Sequence, residues 1–294
     1  MLAEALTAPL PIAAAILLFG IGYRRVHDSL RLGIEDAARR FGARAAACAI
    51  VVVLGLLSCL VTVVVAALAL AEAVGALGLS RKDQVRLAVL GCFAIGLGSA
   101  LTRVGGPVSA IAVARLSGPP YQAGPLFLLT LLGPWVLPVV LLLGILAAVC
   151  VSAAPAERQP PVPPESIGAV ALRAAKVYFF VAALVILGEA IRPLMDRWAS
   201  GARPATLYWV NLSSAVLDNA TLAAAEVNPG LDRGALRYCL LGLLISGGML
   251  VPGNIPNIIC ASRLGITNRD WARWGVPLGA ALMLAVFASL WCWS

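Results

Sequence analysis

Long apolar runs separated by short polar segments cover almost the whole chain. The runs lie at about 8–22, 45–77, 87–114, 126–151, 177–193, 205–227, 236–264 and 274–292. One membrane-spanning helix needs about 20 apolar residues, and most runs have about this length. The run at 45–77 is too long for one simple span, and those at 87–114 and 236–264 are interrupted by Gly and Pro. The pattern predicts an all-α integral membrane protein in which some helices are broken.

Two polar segments divide these runs into groups. Residues 23–44 are basic and amphipathic, which predicts a cytoplasmic helical connector after the first span. Residues 152–176 contain five prolines, at 155, 160, 161, 163 and 164, which predicts an extended linker. The predicted divisions are 1–44 for the first span and its connector, 45–151 for a first repeat, 152–176 for the linker, and 177–294 for a second repeat.

The two halves contain similar sequences in the same order. RLAVLGCFAIGLG begins at Arg86 and RYCLLGLLISGG begins at Arg237, 151 residues later, with the same Gly spacing. Two further pairs keep this order: 107–116 with 256–264, and, upstream, GLLSCLVTV at 55–63 with NLSSAVLDN at 211–219. The order indicates a duplication. Repeat 1 is predicted to contain a hairpin at 45–77, a broken helix at 87–114 and a span at 126–151. Repeat 2 is predicted to contain a span at 177–193, a hairpin at 205–227, a broken helix at 236–264 and a span at 274–292.

The distribution of basic residues indicates how these elements cross the membrane. If the runs at 45–77 and 205–227 are re-entrant hairpins, 15 Lys and Arg lie in loops on one side and 6 on the other. If both runs cross, the division is 13 against 8. Cytoplasmic loops are enriched in Lys and Arg, so the hairpin arrangement fits better. It predicts two inverted repeats, each with a re-entrant helical hairpin and an unwound transmembrane helix.

Composition excludes several classes of function. The 294 residues are 61% hydrophobic and 12% charged, with a mean hydropathy of +0.94, whereas a soluble domain carries about twice that charge. The net charge of +8 lies in short loops without interleaved aromatics, so we expect no nucleic-acid partner. A single histidine, His27, excludes a His-based metal site or catalytic triad, and the seven cysteines form no CxxC pair. We therefore expect no enzyme and no cofactor beyond Na⁺ or H⁺ as a coupling ion.

The stretch NLSSAVLDNATLAAAE at 211–226 places polar groups in an apolar chain. An ionisable residue at membrane depth is costly and therefore indicates function. Asp218 is the first candidate, as a Na⁺ ligand for which a proton competes. The alternative is that it caps the helix that follows. Neutral oxygen ligands are predicted at Asn219, Ser213, Ser214 and Thr221, and the alternative for the hydroxyls is a bond to the preceding turn.

A second polar stretch, VPGNIPN at 251–257, cannot continue a helix, because its two prolines lack an N–H group. Unwound backbone is tolerated at membrane depth only when it is buried in protein or lines a wet cavity. The candidates there are Asn254, Asn257 and Gly253, and the alternative for the two amides is local turn bonding. The matching candidates in the first half are Thr102, Gly105 and Ser109.

Charged groups near these stretches have competing interpretations. Arg103 lies in the first-half segment, where it either pairs with Asp218 or Glu72 or binds an anionic substrate. Glu72 and Glu226 lie near the ends of their hairpins, which favours interfacial solvation. The spacing of Glu189 and Arg192 predicts an ion pair on one helix face.

Three stretches together resemble a bacterial and archaeal family of predicted cation transporters, a domain of unknown function. They are NLSSAVLDNATLAAAEV, GLLISGGMLVPGNIPNIICASRL and GCFAIGLGSALTRVGGPVSAIAVARL. The family resembles the ion transporter superfamily of sodium/proton antiporters, arsenite permeases and dicarboxylate carriers, which implies inverted repeats with hairpins and unwound helices. Two positions depart from the family pattern, since Arg103 and Gly106 stand where Pro and Glu are usual. The chain is also expected to start later than its relatives, with one apolar segment fewer.

The expected function is therefore secondary active ion transport. We expect exchange of Na⁺, or another monovalent cation, for H⁺ by alternating access. The alternative is a carrier of an oxyanion or dicarboxylate that uses Arg103, with or without Na⁺ coupling. The expected partners are the lipid bilayer, a small inorganic ion and a second copy in a homodimer. The expected location is the bacterial inner membrane, with several spans.

Overall fold

The structure, a computed structural model, describes residues 6–7, 9–152, 166–199 and 203–293. Within these residues it is all-helical, with eleven α-helices and two short 3-10 helices. The first half contains α1 (Leu10–Val61), α2 (Val63–Ala76), α3 (Arg81–Ser99), α4 (Pro107–Arg115) and α5 (Phe127–Cys150). The second half contains α6 (Ile167–Ala199), α7 (Pro204–Val210), α8 (Asn219–Glu226), α9 (Arg233–Gly247), α10 (Ile255–Leu264) and α11 (Asn268–Trp293). The 3-10 helices are Asn211–Ala215, after α7, and Val251–Gly253, after α9.

Four helices in the described ranges are long and apolar enough to cross a membrane. They are α1, α5, the segment Ile167–Leu187 of α6, and α11. Their apolar surfaces have no counterpart in a soluble protein of this size, because many of their leucines and valines face outward. The chain is therefore a multi-pass membrane protein, as its hydropathy predicts.

The predicted connector at 23–44 is a direct continuation of the first span. Helix α1 runs through it and bends only at Gly42, whose φ of 84° is non-helical. Ion pairs one turn apart, Arg31 with Glu35 and Arg40 with Asp36, support this helix on its polar face. The predicted linker is also shorter than expected, because α6 begins at Ile167, where the Ser166 hydroxyl accepts a bond from the first turn. Residues 153–165 lie outside the described ranges.

The chain reverses direction at Thr62. Before this residue, α1 runs alongside α3 in the same direction, with Ser58 bonded to Ile95 and Thr102 bonded to Cys59. After it, α2 runs back along α3, with Val63 near Gly105 at one end of the contact and Leu70 near Gly91 further along. The final third of α1 and all of α2 therefore form an antiparallel pair of helices.

A second reversal lies between Ser214 and Asn219. On the way in, Tyr208 packs against Gly242, and Ser214 donates to the carbonyl of Leu243. On the way out, Asn219 lies beside Gly247, and Glu226 contacts Cys239 nearer the start of α9. The segments on both sides of the reversal thus pack on the same helix in opposite directions.

Both halves also contain an interrupted helix, α3–α4 and α9–α10, and the two run antiparallel. At one end Arg81 donates to the carbonyl of Leu264, and at the other Tyr121 donates to the carbonyl of Leu231. The start of the first reversing pair and the end of α5 lie at the same end of the interrupted helices as Arg81. Two bonds join these parts: Arg44 to Val151 at 3.2 Å, and Arg86 to Cys150 at 3.0 Å.

Small residues allow the close contact between α1, α3 and α5. A Cβ atom on Gly98 would overlap the carbonyl oxygen of Gly55, and one on Gly55 would lie 2.9 Å from Val140 and 3.0 Å from Ala94. Helices that lack a hydrophobic driving force between them associate by such backbone-to-backbone packing. The first reversal is therefore positioned by glycines.

We predict that Gly98→Ala destabilises the protein by about 1–3 kcal/mol, because the methyl group forces α3 away from α1. Gly33→Ala is the matched control, since a Cβ atom there meets nothing within 4 Å. The control should match or slightly exceed the parent, because Ala favours helix. Thermal unfolding in detergent measures both. Equal stability of the two variants would contradict this packing.

Candidate functional site

A small cavity lies where the two reversals and the two helix interruptions meet. Its volume is about 10 Å³, which is room for roughly one water molecule. The lining comes from both halves of the chain: Val63, Gly96, Ser99, Gly106, Pro107, Val108, Asn219, Leu244, Asn254 and Ile255. Among these residues, only neutral amides, a hydroxyl and the backbone offer polar atoms.

The second interruption spans residues 248–254, slightly earlier than the predicted 251–257. Helix α9 ends at Gly247, and Asn254 is extended, with φ −153° and ψ 147°. Asn257 instead lies in the first turn of α10, because proline is tolerated at the start of a helix. Its Nδ2 donates to the carbonyls of Gly247 and Leu250, at 2.9 and 2.8 Å.

Gly253 brings this interruption against the second reversal. A Cβ atom there would lie 2.6 Å from the carbonyl oxygens of Gly247 and Ser214, and 3.0 Å from that of Ala215. Three carbonyl oxygens therefore converge on one glycine. Only a residue without a side chain permits this approach.

The first interruption, at 100–106, is held against the first reversal in a similar way. The Gly105 carbonyl accepts from Val63 N–H at 2.6 Å, and Thr102 Oγ1 donates to the Cys59 carbonyl. A Cβ atom on Gly105 would overlap the Ser99 carbonyl. Ser109 Oγ donates to the Gly106 carbonyl and accepts from its N–H, so it caps α4 locally.

Asn219 and Asn254 bring amide groups from the second half to the cavity. Asn219 begins α8 and is 3% exposed, and Asn254 is 7% exposed. The Asn254 amide lies against Gly96 of the first half, where a Cβ atom would come within 2.6 Å of Nδ2. Ser99 and the backbone near Gly106 complete the opposite wall. The cavity is thus built across the boundary between the halves.

Asp218 has the capping geometry that was the alternative to ion binding. Its Oδ2 accepts from the N–H groups of Ala220 and Thr221, both at 3.1 Å, and from the Thr221 hydroxyl at 3.3 Å. Asp218 is half-buried and is not part of the cavity lining, although its neighbour Asn219 is. The direct contacts therefore show Asp218 as a helix cap one residue from the cavity.

Of the remaining predicted site residues, some are buried at the reversals and others lie at the surface. Ser214 is fully buried and donates to Leu243 at 3.1 Å, whereas Ser213 is exposed. Arg103 is partly buried, its Nε has no hydrogen-bond partner, and it does not line the cavity. Of its two proposed partners, Glu72 is paired elsewhere and Asp218 is engaged as a cap.

Glu72 and Glu226 are buried, in contrast to the interfacial solvation that was predicted for them. Glu72 is 6% exposed, and its carboxylate pairs with Arg31 at 2.5 Å and lies 3.4 Å from His27 Nε2. Glu226 is 8% exposed and contacts the Cys239 thiol at 3.4 Å. Glu72 is buried because α1 continues past Gly20 and covers α2. The predicted pair of Glu189 with Arg192 falls on side chains outside the described ones.

Comparison with known proteins identifies the family. A family model described as "Protein of unknown function (DUF1646)" matches residues 1–292. The chain belongs to this DUF1646 family. No curated protein matches the chain.

Among the described residues of this DUF1646 protein, Thr62 at the first reversal has a strained backbone. Its φ of 77° and ψ of 150° belong to a region that is essentially restricted to glycine, at a cost of about 1–3 kcal/mol. The side chain is fully buried, and Oγ1 has no hydrogen-bond partner. The sequence does not predict the importance of Thr62, because nothing in GLLSCLVTV indicates a residue with positive φ. A strained residue with an unpaired buried hydroxyl is a candidate ligand.

We predict that Thr62→Gly stabilises the protein by about 1 kcal/mol, because it removes both the strain and the unpaired hydroxyl. Thr130, which lies in the first turn of α5, is the matched control. The same change there should lower stability by a similar amount, since Gly disfavours helix. Thermal unfolding tests both signs. A loss of stability at position 62 would rule out the strained conformation.

Proposed function

We propose that this protein is a secondary active transporter that exchanges Na⁺, or another small monovalent cation, for H⁺ by alternating access. The observation that carries the proposal is the cavity between the halves. It has room for about one unhydrated ion or water. Asn219, Asn254 and Ser99, which line it, are residues with neutral oxygen atoms, and such atoms replace water around a hard cation.

The arrangement of the halves supports two inverted repeats. The interrupted helices run antiparallel, and equivalent residues make exchanged contacts. Arg86 of the first half stacks on Trp274 of the second, at 4.3 Å, and Arg237 of the second half stacks on Trp135 of the first, at 5.1 Å. Arg86 and Arg237 are the residues that begin the two similar sequences. Pairs that swap partners in this way are expected from an internal two-fold relation.

Helix lengths support re-entrant hairpins. Helix α2 has 14 residues and is about 21 Å long, whereas a bilayer core is about 30 Å thick. Helix α8 has 8 residues and is shorter still. Neither can cross alone. Because each reverses beside an interrupted helix, the freed backbone groups face protein and cavity rather than lipid.

A transport cycle follows from this geometry. The cavity is bordered by the reversals and the interruptions, so small movements of either reversing pair would change its access to one side. In the bacterial inner membrane, where we place the protein as a homodimer, a proton gradient would drive cation exchange. Asp218, one residue from Asn219, adds negative charge beside the cavity and favours a cation there.

We predict that Asn254→Ala and Asn219→Ala abolish Na⁺-dependent flux, because each removes an oxygen from the cavity wall. Flux is measured in proteoliposomes under Na⁺, K⁺ and pH gradients. Asn268→Ala is the control, since this exposed asparagine lies at the start of α11, away from the cavity. Full activity in both cavity variants would exclude this site.

The variant Asp218→Asn distinguishes the role of Asp218 as a helix cap from the role of its negative charge. Asn caps helices as well as Asp does, so the variant should fold normally. We predict that its apparent KM for the cation rises about tenfold, which corresponds to about 1.4 kcal/mol of lost attraction. Unchanged KM and unchanged coupling would show that Asp218 is a cap only.

An anion carrier remains the second candidate, because Arg103 has a buried Nε without a partner in the same interruption. The cavity volume argues against it, since a dicarboxylate is many times larger than one water. Exchange of Arg103 for Gln distinguishes the two. Uptake of labelled oxyanions or dicarboxylates that depends on Arg103 would favour the anion carrier, and Na⁺ flux that survives the change would favour the cation.

A further inference from the structure

Glu226 is a buried acid for which the described residues provide no basic partner. It ends α8, is 8% exposed, and lies against α9. In the described part of the chain no Lys, Arg or His forms an ion pair with it. Glu72, at the corresponding end of α2, instead has Arg31 and His27. The two halves therefore treat equivalent carboxyl groups differently.

A charged carboxylate in these surroundings is unfavourable. Transfer of an ionised group away from water without a countercharge costs far more than transfer of its neutral form. The position at the end of a helix adds to this cost, because the carbonyl groups there carry partial negative charge. Arg115 on α4 reaches α8 at the Ala224 carbonyl, to which it donates at 2.9 Å.

Asn211 supplies a second, independent observation. It is fully buried, and its Nδ2 donates to the Cys239 carbonyl at 3.1 Å. Its Oδ1 is buried without a hydrogen-bond partner. The Glu226 carboxyl is within hydrogen-bonding reach of the same amide. The Cys239 thiol donates to Glu226 Oε2, and the acceptor Asn211 Oδ1 is the atom left without a partner. A carboxylate only accepts hydrogen bonds, whereas a carboxylic acid adds an O–H donor for such an acceptor.

We propose that Glu226 is the proton-binding site of the transporter, separate from the cation cavity and protonated in the conformation seen here. This inference rests on the proposed cation/H⁺ exchange. Asn219 and Glu226 lie at opposite ends of α8, about 10 Å apart along its axis. The helix thus carries a cation ligand at its start and a proton at its end.

The proton transfer is simple. When α8 separates from α9, water reaches Glu226, the O–H bond breaks, and the proton leaves to that water while the electron pair stays on the carboxylate. The carboxylate is then hydrated and can remain charged. Return of α8 to its buried position requires reprotonation. Because Asn219 moves with the same helix, proton release and cation binding become linked.

The groups that face Glu226 are few. Cys239 on α9 and Asn211 after α7 contact or approach it, and Arg115 on α4 reaches its helix at Ala224. Helix α6 also packs against α8. The charged side chains of its last three turns lie outside the described ones.

Infrared difference spectroscopy tests the protonation directly. The unmodified protein in liposomes should show the carbonyl stretch of a protonated carboxyl group at neutral pH, and Glu226→Gln should lose it. Glu72→Gln, the matched control in the first half, should keep it. Absence of the band in the parent, or its persistence in Glu226→Gln, would overturn the proposal.

Flux measurements test the coupling. Glu226→Gln should lose Na⁺ uptake driven by a pH gradient and keep Na⁺/Na⁺ exchange, because Gln imitates the protonated acid. Intact pH-driven uptake would overturn the role of Glu226 while leaving the transporter proposal in place. Absence of any cation flux in the parent would overturn the transporter proposal, and the coupling role with it.

A third variant applies if Glu226→Gln fails to insert. Cys239→Ser places a stronger hydrogen-bonding group 3.4 Å from the carboxyl oxygen. It should shift the carbonyl band of Glu226. An unshifted band would show that the signal comes from another acid.

Discussion

Backbone polar groups in an apolar environment must find partners, and this requirement governs the whole fold. Two helices stop inside the protein, and each stop frees N–H and carbonyl groups that lipid cannot satisfy. The second half resolves this with side chains: Asn257 bonds two of the freed carbonyls, and Trp271 donates to a third, at Gly248. The first half uses backbone, since Gly105 and Val63 bond directly. Each break is therefore stable only because a chain reversal lies beside it.

The halves share a plan but differ in charge. Arg31 and His27 pair with Glu72, and both lie in the part of α1 that precedes residue 45. Among the described residues, no basic side chain forms an ion pair with Glu226. Under the proposed duplication, an element outside the two repeats holds one acid in a structural ion pair, and its counterpart is the acid we propose to bind the proton. Such a division is one way in which a duplicated protein acquires distinct roles for equivalent positions.

Much of the architecture could be predicted from hydropathy and from the positions of Pro and Gly in the apolar runs. Pro252 and Gly253 indicated the second break, and the length of the 45–77 run indicated a reversal within it. The exact bounds could not be predicted, because proline is accepted in the first turn of α10, which places Asn257 inside a helix. The preference of Asp for helix N-caps correctly predicted a structural role for Asp218, as the alternative to ion binding. The site residues could be predicted less well. Thr62 is a candidate because of its backbone φ angle, and Glu226 is buried because of tertiary packing. Neither leaves a trace in local sequence.

The swapped Arg–Trp contacts bear on how the chain is made. Arg86 leaves the ribosome early, yet its aromatic partner, Trp274, lies in α11, which is synthesised much later. Until that helix inserts, the first half holds a cation at its surface without its final contact. Assembly therefore cannot finish one half at a time. The newly made protein waits for α11, and the contact between Arg86 and Trp274 forms only after that helix has been made.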